Sequence, residues 1–441
     1  MSKNSAVAVL LTVMALLGFP AVAQDVHLGV KSCGSSGCHG QVSAFGSKVL
    51  LNEYLTWQKY DKHSQSYSAL KGKRAQRIAA NLGIEAAHES ETCLNCHTTN
   101  IPEAQRGPQF DIADGVTCEA CHGAGSGPWM GLHIGGSSHA DNVKNGLVAL
   151  EDPATRAGVC LDCHLGDSDQ FATHRMMGAG HPRISFELDS FTAFQPAHFV
   201  ADDDYAERKA VVDGVKTWAV GQALMVERRM DLLIDSKFAK TGLFPELAFF
   251  DCHACHQPMS SSQPDSSGSF ATAWKSRPGT GLGPGVAKLN DANMMMLEVA
   301  LGMADEAMAK QMATDIRGLH KAVHTSRQAT VAAAEKIRSA AQAAVATLSA
   351  MNVDQAAMQA AMAKLIDRSQ GGYFADYTSA EQATMALGAM IEAMNAAGFM
   401  DGASYNAANA KMEAVYGAVG NDERYVRSTF VSAVKGLASA L

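Results

Sequence analysis

Ten cysteines fall into five pairs, and each pair is followed at once by a histidine. Four pairs enclose two residues: Cys93-Leu-Asn-Cys96-His97, Cys118-Glu-Ala-Cys121-His122, Cys160-Leu-Asp-Cys163-His164 and Cys252-His-Ala-Cys255-His256. The first, Cys33-Gly-Ser-Ser-Gly-Cys38-His39, encloses four. Cys-x-x-Cys-His is the attachment signature of c-type haem. Its two thiols form thioethers with the haem vinyl groups and its histidine reaches the iron from the proximal side. A lone Cys-x-x-Cys is also compatible with half a zinc site or a thioredoxin-like redox pair. Five in series, each with its histidine and with no cysteine left over, point instead to five covalently bound haem c groups, the first held by a wider loop. Ten cysteines in 441 residues would in any case be sparse for a disulfide scaffold.

That cofactor load predicts the fold. From Cys33 to His256 there are about 45 residues per haem, too few to enclose each macrocycle separately, so the haems themselves must form much of the interior. Regular patterning is correspondingly weak there. The helical stretches that stand out are Tyr54 to Leu70, with Trp57, Tyr60, His63 and Tyr67 at helical spacing, and Tyr205 to Asp235. The expected class is mostly α with much irregular structure: a multihaem domain at 24–280 packed around five haems, then a helical bundle at 288–441. Turn-rich sequence from Gln257 to Gly285 marks the boundary.

Residues 1–23 read as a cleavable signal peptide: Lys3, the apolar run Ala6 to Leu17, and Pro20-Ala21-Val22-Ala23 before the expected cut. The apolar run is shorter than the roughly 20 residues that span a bilayer, which disfavours a membrane anchor. A periplasmic location follows, with the extracellular side as the alternative. The net charge of -8 and pI near 6.0 offer no phosphate-binding surface, so nucleic acid is not an expected partner.

Five histidines are used proximally, which leaves His27, His63, His88, His133, His139, His174, His181, His198, His253, His320 and His324. A second histidine on an iron makes a six-coordinate electron carrier, and an open position makes a site for small molecules. His27, His88 and His139 read as exposed loop residues, and His253 as a solvent-facing or propionate-bonding residue within a haem loop.

The order of motifs resembles the multihaem cytochromes of the cytochrome c-554 type. The likeness rests on Trp57 to His63 after the first site, on Gly115-Val-Thr-Cys118-Glu-Ala-Cys121-His122-Gly, and on Met176-Met-Gly-Ala-Gly180-His181-Pro together with Phe249-Phe-Asp-Cys252-His-Ala-Cys255-His256, which look like a pentahaem branch. It spans roughly residues 27 to 275. Gln257 departs from it, standing where a further histidine is expected. The resemblance implies His63, His133, His174 and His181 as distal ligands, with His198 as a fifth candidate.

Beyond residue 290 lie fourteen of the 22 methionines, among many alanines, which reads as flexible packing between helices. Expected helices run Asp291 to Gly318, Ser326 to Ala350, Asp354 to Asp367, Ser379 to Ala397, Ser404 to Val419 and Asp422 to Ala440. His320 and His324, four apart, read as a solvated helix face, with distal ligation of the last haem as a minor alternative. The expected function is single-electron transfer between redox partner proteins through bis-histidine haems. The alternative is an oxidoreductase with one five-coordinate haem acting on a small nitrogen or sulfur compound. No Cys-x-x-Cys-Lys site occurs to support that alternative. Propionates add to the negative charge, so a partner is expected to present a basic patch and the encounter to weaken with salt.

Overall fold

Helices carry nearly all the regular structure. The computed structural model describes residues 25–46, 49–240, 243–256, 278–283 and 286–441, so the expected signal peptide, Gln257 and most of the Gln257 to Gly285 stretch lie outside the described residues. Among the described residues there are no strands, only isolated bridges between His27 and Arg106 and between Phe250 and Leu289.

The helix Gly214–Ile234 organises the core. Asp213 starts it by accepting the Lys216 amide at 2.8 Å, and Val215, Trp218, Ala219, Ala223, Val226 and Met230 are fully buried or nearly so. It packs chiefly on Arg327–Ala350 and also on Ala292–Ala304, Pro153–His164, Leu188–Phe194 and Tyr377–Ala396. Small residues permit the approach. The helix Arg327–Ala350 presents Ala334, Ile337, Ala341, Ala344 and Leu348 at three- and four-residue spacing, all solvent-free. A side chain at Gly221 would meet Leu188 at 2.7 Å. Within this apolar seam the amides of Gln222, Asn293 and Gln382 satisfy one another at 2.9–3.2 Å, and Gln382 donates to the Phe186 carbonyl. Met294, Met296, Met358, Met362, Met390 and Met394 are all buried packing residues.

One hydrophobic cluster therefore runs from Ala157 to Leu437, across the turn-rich boundary. By contrast, the stretch before residue 150 has a single small cluster of Tyr67, Leu70, Ala79, Ala87 and Leu94.

Several expectations about helices and histidines need correction, among them Asp422 to Ala440, which divides into a turn Asp422–Arg424 and a helix Arg427–Ala438. Tyr54 to Leu70 is not one helix: Glu53–Tyr60 ends at Asp61, which is extended and accepts the His63 amide at 2.9 Å, and short turns Lys62–Gln65 and Ser66–Ala69 follow. Tyr205 to Asp235 divides into Asp203–Arg208 and Gly214–Ile234 because Asp213 caps a new start. Asp291 to Gly318 breaks at Asp305, whose carboxylate takes the amides of Ala307 and Met308 and so begins Glu306–Val323. His320 is not solvated: it is 1% exposed, with Nε2 at 2.8 Å from Asp291, and His324 instead donates to the Ala287 carbonyl.

Candidate haem sites

Each motif is seated differently. The first is a loop whose His39 carbonyl accepts the Tyr54 amide at 3.0 Å. The second ends the helix Glu91–His97, the third is the short helix Cys118–His122, and the fourth closes the helix Pro153–His164, capped by Asp152. The fifth is a single turn, Cys252–Ala254, capped by Asp251. None of the ten cysteines is paired in a disulfide.

The five motif histidines each lie beside one other histidine. Ring centroids are 5.9 Å apart for His39 and His133, 6.4 Å for His97 and His181, 6.3 Å for His122 and His198, 6.2 Å for His164 and His63, and 6.0 Å for His256 and His174. His320 and His324 pair with none of them. Nor does His253, which stacks on Tyr425 at 6.0 Å and accepts the Tyr377 amide, nor His139, which is half-buried against Glu151 at 2.7 Å rather than free in a loop. His27 joins the backbone bridge to Arg106, and His88 packs edge-on against Tyr67.

Several of the paired rings are oriented through Nδ1. His39 Nδ1 bonds the Glu53 carboxylate at 3.0 Å and His63 Nδ1 the Asp61 carboxylate at 2.9 Å. His97 Nδ1 donates to the Ser66 carbonyl at 3.1 Å, His181 Nδ1 to that of Pro182 at 2.8 Å and His198 Nδ1 to that of Pro196 at 3.4 Å. With Nδ1 engaged, Nε2 is the nitrogen left for a ligand, the arrangement by which outer partners fix the ring of a metal-binding histidine.

Burial separates the imidazoles electrostatically. It holds His122 and His164 down at about 4, so both are neutral, ligand-competent rings at pH 7. The carboxylate hydrogen bonds of Glu53 and Asp61 raise His39 and His63 instead. Burial also keeps the Cys121 and Cys160 thiols protonated, up to about 12 and about 11.

Thiols from different motifs meet. Cys33 interacts with Cys118, Cys96 with Cys163, and Cys121 lies within electrostatic reach of Cys160 and Cys163. The first four motifs thus adjoin in the order first, third, fourth, second.

The supporting carboxylates are the residues that motif spacing did not reveal. Glu119, inside the third motif, is buried and accepts the amides of Leu28 (2.8 Å), Gly29 (2.8 Å) and Gly125 (2.6 Å), tying the N-terminal segment to the site. Gly29 has φ 94°, and a Cβ there would fall 2.2 Å from the Gln109 carbonyl oxygen, so only glycine fits.

Residues 33–123 match the family model described as Cytochrome c554 and c-prime. The matched stretch holds the first three motifs and the Trp57 to His63 segment. This similarity supports a c-type cytochrome with covalently bound haem c and an electron-transfer role. No curated protein and no solved structure matches the chain. Among the described residues no helix is long and apolar enough to cross a membrane.

Proposed function

We propose that the chain is a periplasmic cytochrome carrying five haem c groups, each held between two histidines, which passes single electrons between redox partner proteins. The observation that carries this reading is the set of five histidine pairs. Two metal–imidazole bonds of about 2 Å plus the half-widths of two rings separate centroids by about 6 Å, and all five pairs fall at 5.9–6.4 Å. The donor set at every motif, two thiols and two imidazoles, fits haem c. Bound haem supplies one-electron iron chemistry, and two imidazoles per iron leave no position for a substrate.

The residues' own part is to hold geometry. Glu53, Asp61 and the Ser66, Pro182 and Pro196 carbonyls fix ring orientation, so an electron can be gained or lost with little rearrangement. Cysteine contacts between motifs support cofactors close enough to exchange electrons in series. The chain's net charge of -8, deepened by propionates, suits partners with a basic docking patch.

Mass spectrometry and electron paramagnetic resonance of the oxidised holoprotein test this. The expected result is a mass gain of five haems and only low-spin iron, unmoved by nitric oxide. The rings are nearly perpendicular in three pairs (88°, 90° and 86°) and closer to parallel in two (8° and 30°), so three strongly anisotropic and two rhombic low-spin signals are expected. A high-spin signal that shifts with nitric oxide would favour an enzyme with one open site.

A further inference from the structure

The turn Glu227 to Asp231 of the helix Gly214–Ile234 carries four charged side chains, and three are paired conventionally. Glu227 accepts from Gln342 at 2.8 Å, Arg228 pairs with Asp162 at 3.0 Å and Asp231 with Arg338 at 3.3 Å. Arg229 is the exception. Its Nε is shut off from solvent with no hydrogen-bond partner among the described residues, and no carboxylate there lies within ion-pair distance. Burial, reinforced by the nearby positive charge of Arg183, pulls the guanidinium down to about 10.

Arg183 is within electrostatic reach of Arg229. Its NH2 is held by both Glu381 oxygens at 2.9 and 3.1 Å, and its guanidinium lies 5.0 Å from the centre of the Tyr377 ring. Its Nε, like that of Arg229, has no hydrogen-bond partner among the described residues. Both guanidiniums are within electrostatic reach of Cys252, the first thiol of the fifth motif. Two cations near one another and largely withdrawn from water are unfavourable unless anions join them. Glu381 supplies one negative charge. Asp291 and Asp422 act on the two arginines only from beyond ion-pair distance, so Arg229 has no anion in direct contact among the described residues.

The fifth motif is also built onto the C-terminal helices. The Asp251 amide donates to the Lys288 carbonyl at 3.0 Å, the Lys288 ammonium bridges Asp251 (3.1 Å) and Asp376 (2.9 Å), and His253 lies against Tyr377 and Tyr425. A cofactor on Cys252 and Cys255 therefore has a firm seat on one side and the two arginines close to its attachment point.

We infer that Arg229, together with Arg183, binds the propionates of the fifth haem and raises that haem's reduction potential. The inference rests on the reading that Cys252, Cys255 and His256 carry a haem. A fixed positive charge favours the reduced iron, which carries one positive charge fewer than the oxidised form. It also assigns the C-terminal helices a task, because Arg183 is positioned by Glu381 and Tyr377 of the helix Tyr377–Ala396.

The test compares spectroscopic redox titrations of the wild-type, Arg229→Gln and Arg229→Lys holoproteins, with peptide mass mapping of the Cys252–His256 segment. In Arg229→Gln one of the five midpoints is expected to fall by a tenfold change in reduction equilibrium, about 59 mV, while four stay put. Arg229→Lys, which keeps the charge, is expected to recover most of that shift. Unchanged midpoints in Arg229→Gln with haem present on Cys252 and Cys255 would overturn the inference. So would failure of both variants to accumulate, which would make Arg229 a packing residue. A wild-type segment without haem would instead sink the five-haem reading itself.

Discussion

The stretch before residue 150 and the stretch after Gly214 are both helical chain, yet they are held together by different means. The later stretch buries whole helices in one apolar cluster, where Trp218, Phe374 and Phe430 are fully enclosed. Among the described residues the earlier one clusters only five buried apolar residues, with Val30 and Trp129 buried apart from them, and much of its remaining order comes from single hydrogen bonds such as Trp57 Nε1 to the Val116 carbonyl at 3.1 Å. A stretch of that length with so small a core does not offset its conformational entropy. Covalent haem would supply the missing apolar volume, so the two regions should differ most when haem is withheld.

The largest effect is expected there. In chain produced without haem attachment, hydrogen exchange should find residues 49–150 unprotected while Gly214–Ile234 and Arg327–Ala350 remain protected. Equal protection in both would break the contrast. Within the apolar region, Leu348→Ala should cost ~2–5 kcal/mol in denaturant unfolding, because it opens a cavity between two tightly apposed helices. Within the haem-motif region, Glu119→Ala should cost ~1–3 kcal/mol, since three amides, two of them buried, lose their side-chain acceptor; the loss should appear first as exchange at Leu28 and Gly29.

The last comparison depends on pH and concerns the helix Leu188–Phe194, which packs on Gly214–Ile234. Burial, followed by the neighbouring Glu187 charge, raises Asp189 to about 7. Between about pH 4 and pH 7 the folded protein keeps a proton that the unfolded chain releases, so this group lowers stability as pH rises through that window. Asp189→Asn should therefore be relatively more stable at pH 8, with the gain fading towards pH 4. A gain of equal size at both pH values would remove the carboxyl as its cause.

Sequence spacing revealed what is local. The motifs are only a few residues long, and the C-terminal helices follow from alanine, leucine and methionine at helical period, so both could be read from spacing. Asp61, Asp213 and Asp305 were harder to place, because a capping aspartate inside a periodic stretch looks like one more polar position until its carboxylate is seen to take the next amides. Glu119 carried no signal of its role, since its three partners lie on two other segments. Arg229 was hidden for the opposite reason: beside Glu227, Arg228 and Asp231 it reads as part of an ordinary charged turn.

Each histidine pair joins residues roughly eighty to a hundred positions apart, and the intervals overlap. A chain delivered N-terminus first therefore cannot finish any site on its own. His39 waits for His133, His63 for His164 and His97 for His181, while the next motif has already emerged and is waiting in turn. Assembly along such a chain is a staggered closing, in which each new length completes an earlier site and opens a later one. A truncation anywhere between His39 and His256 would leave at least one histidine of these pairs without its partner.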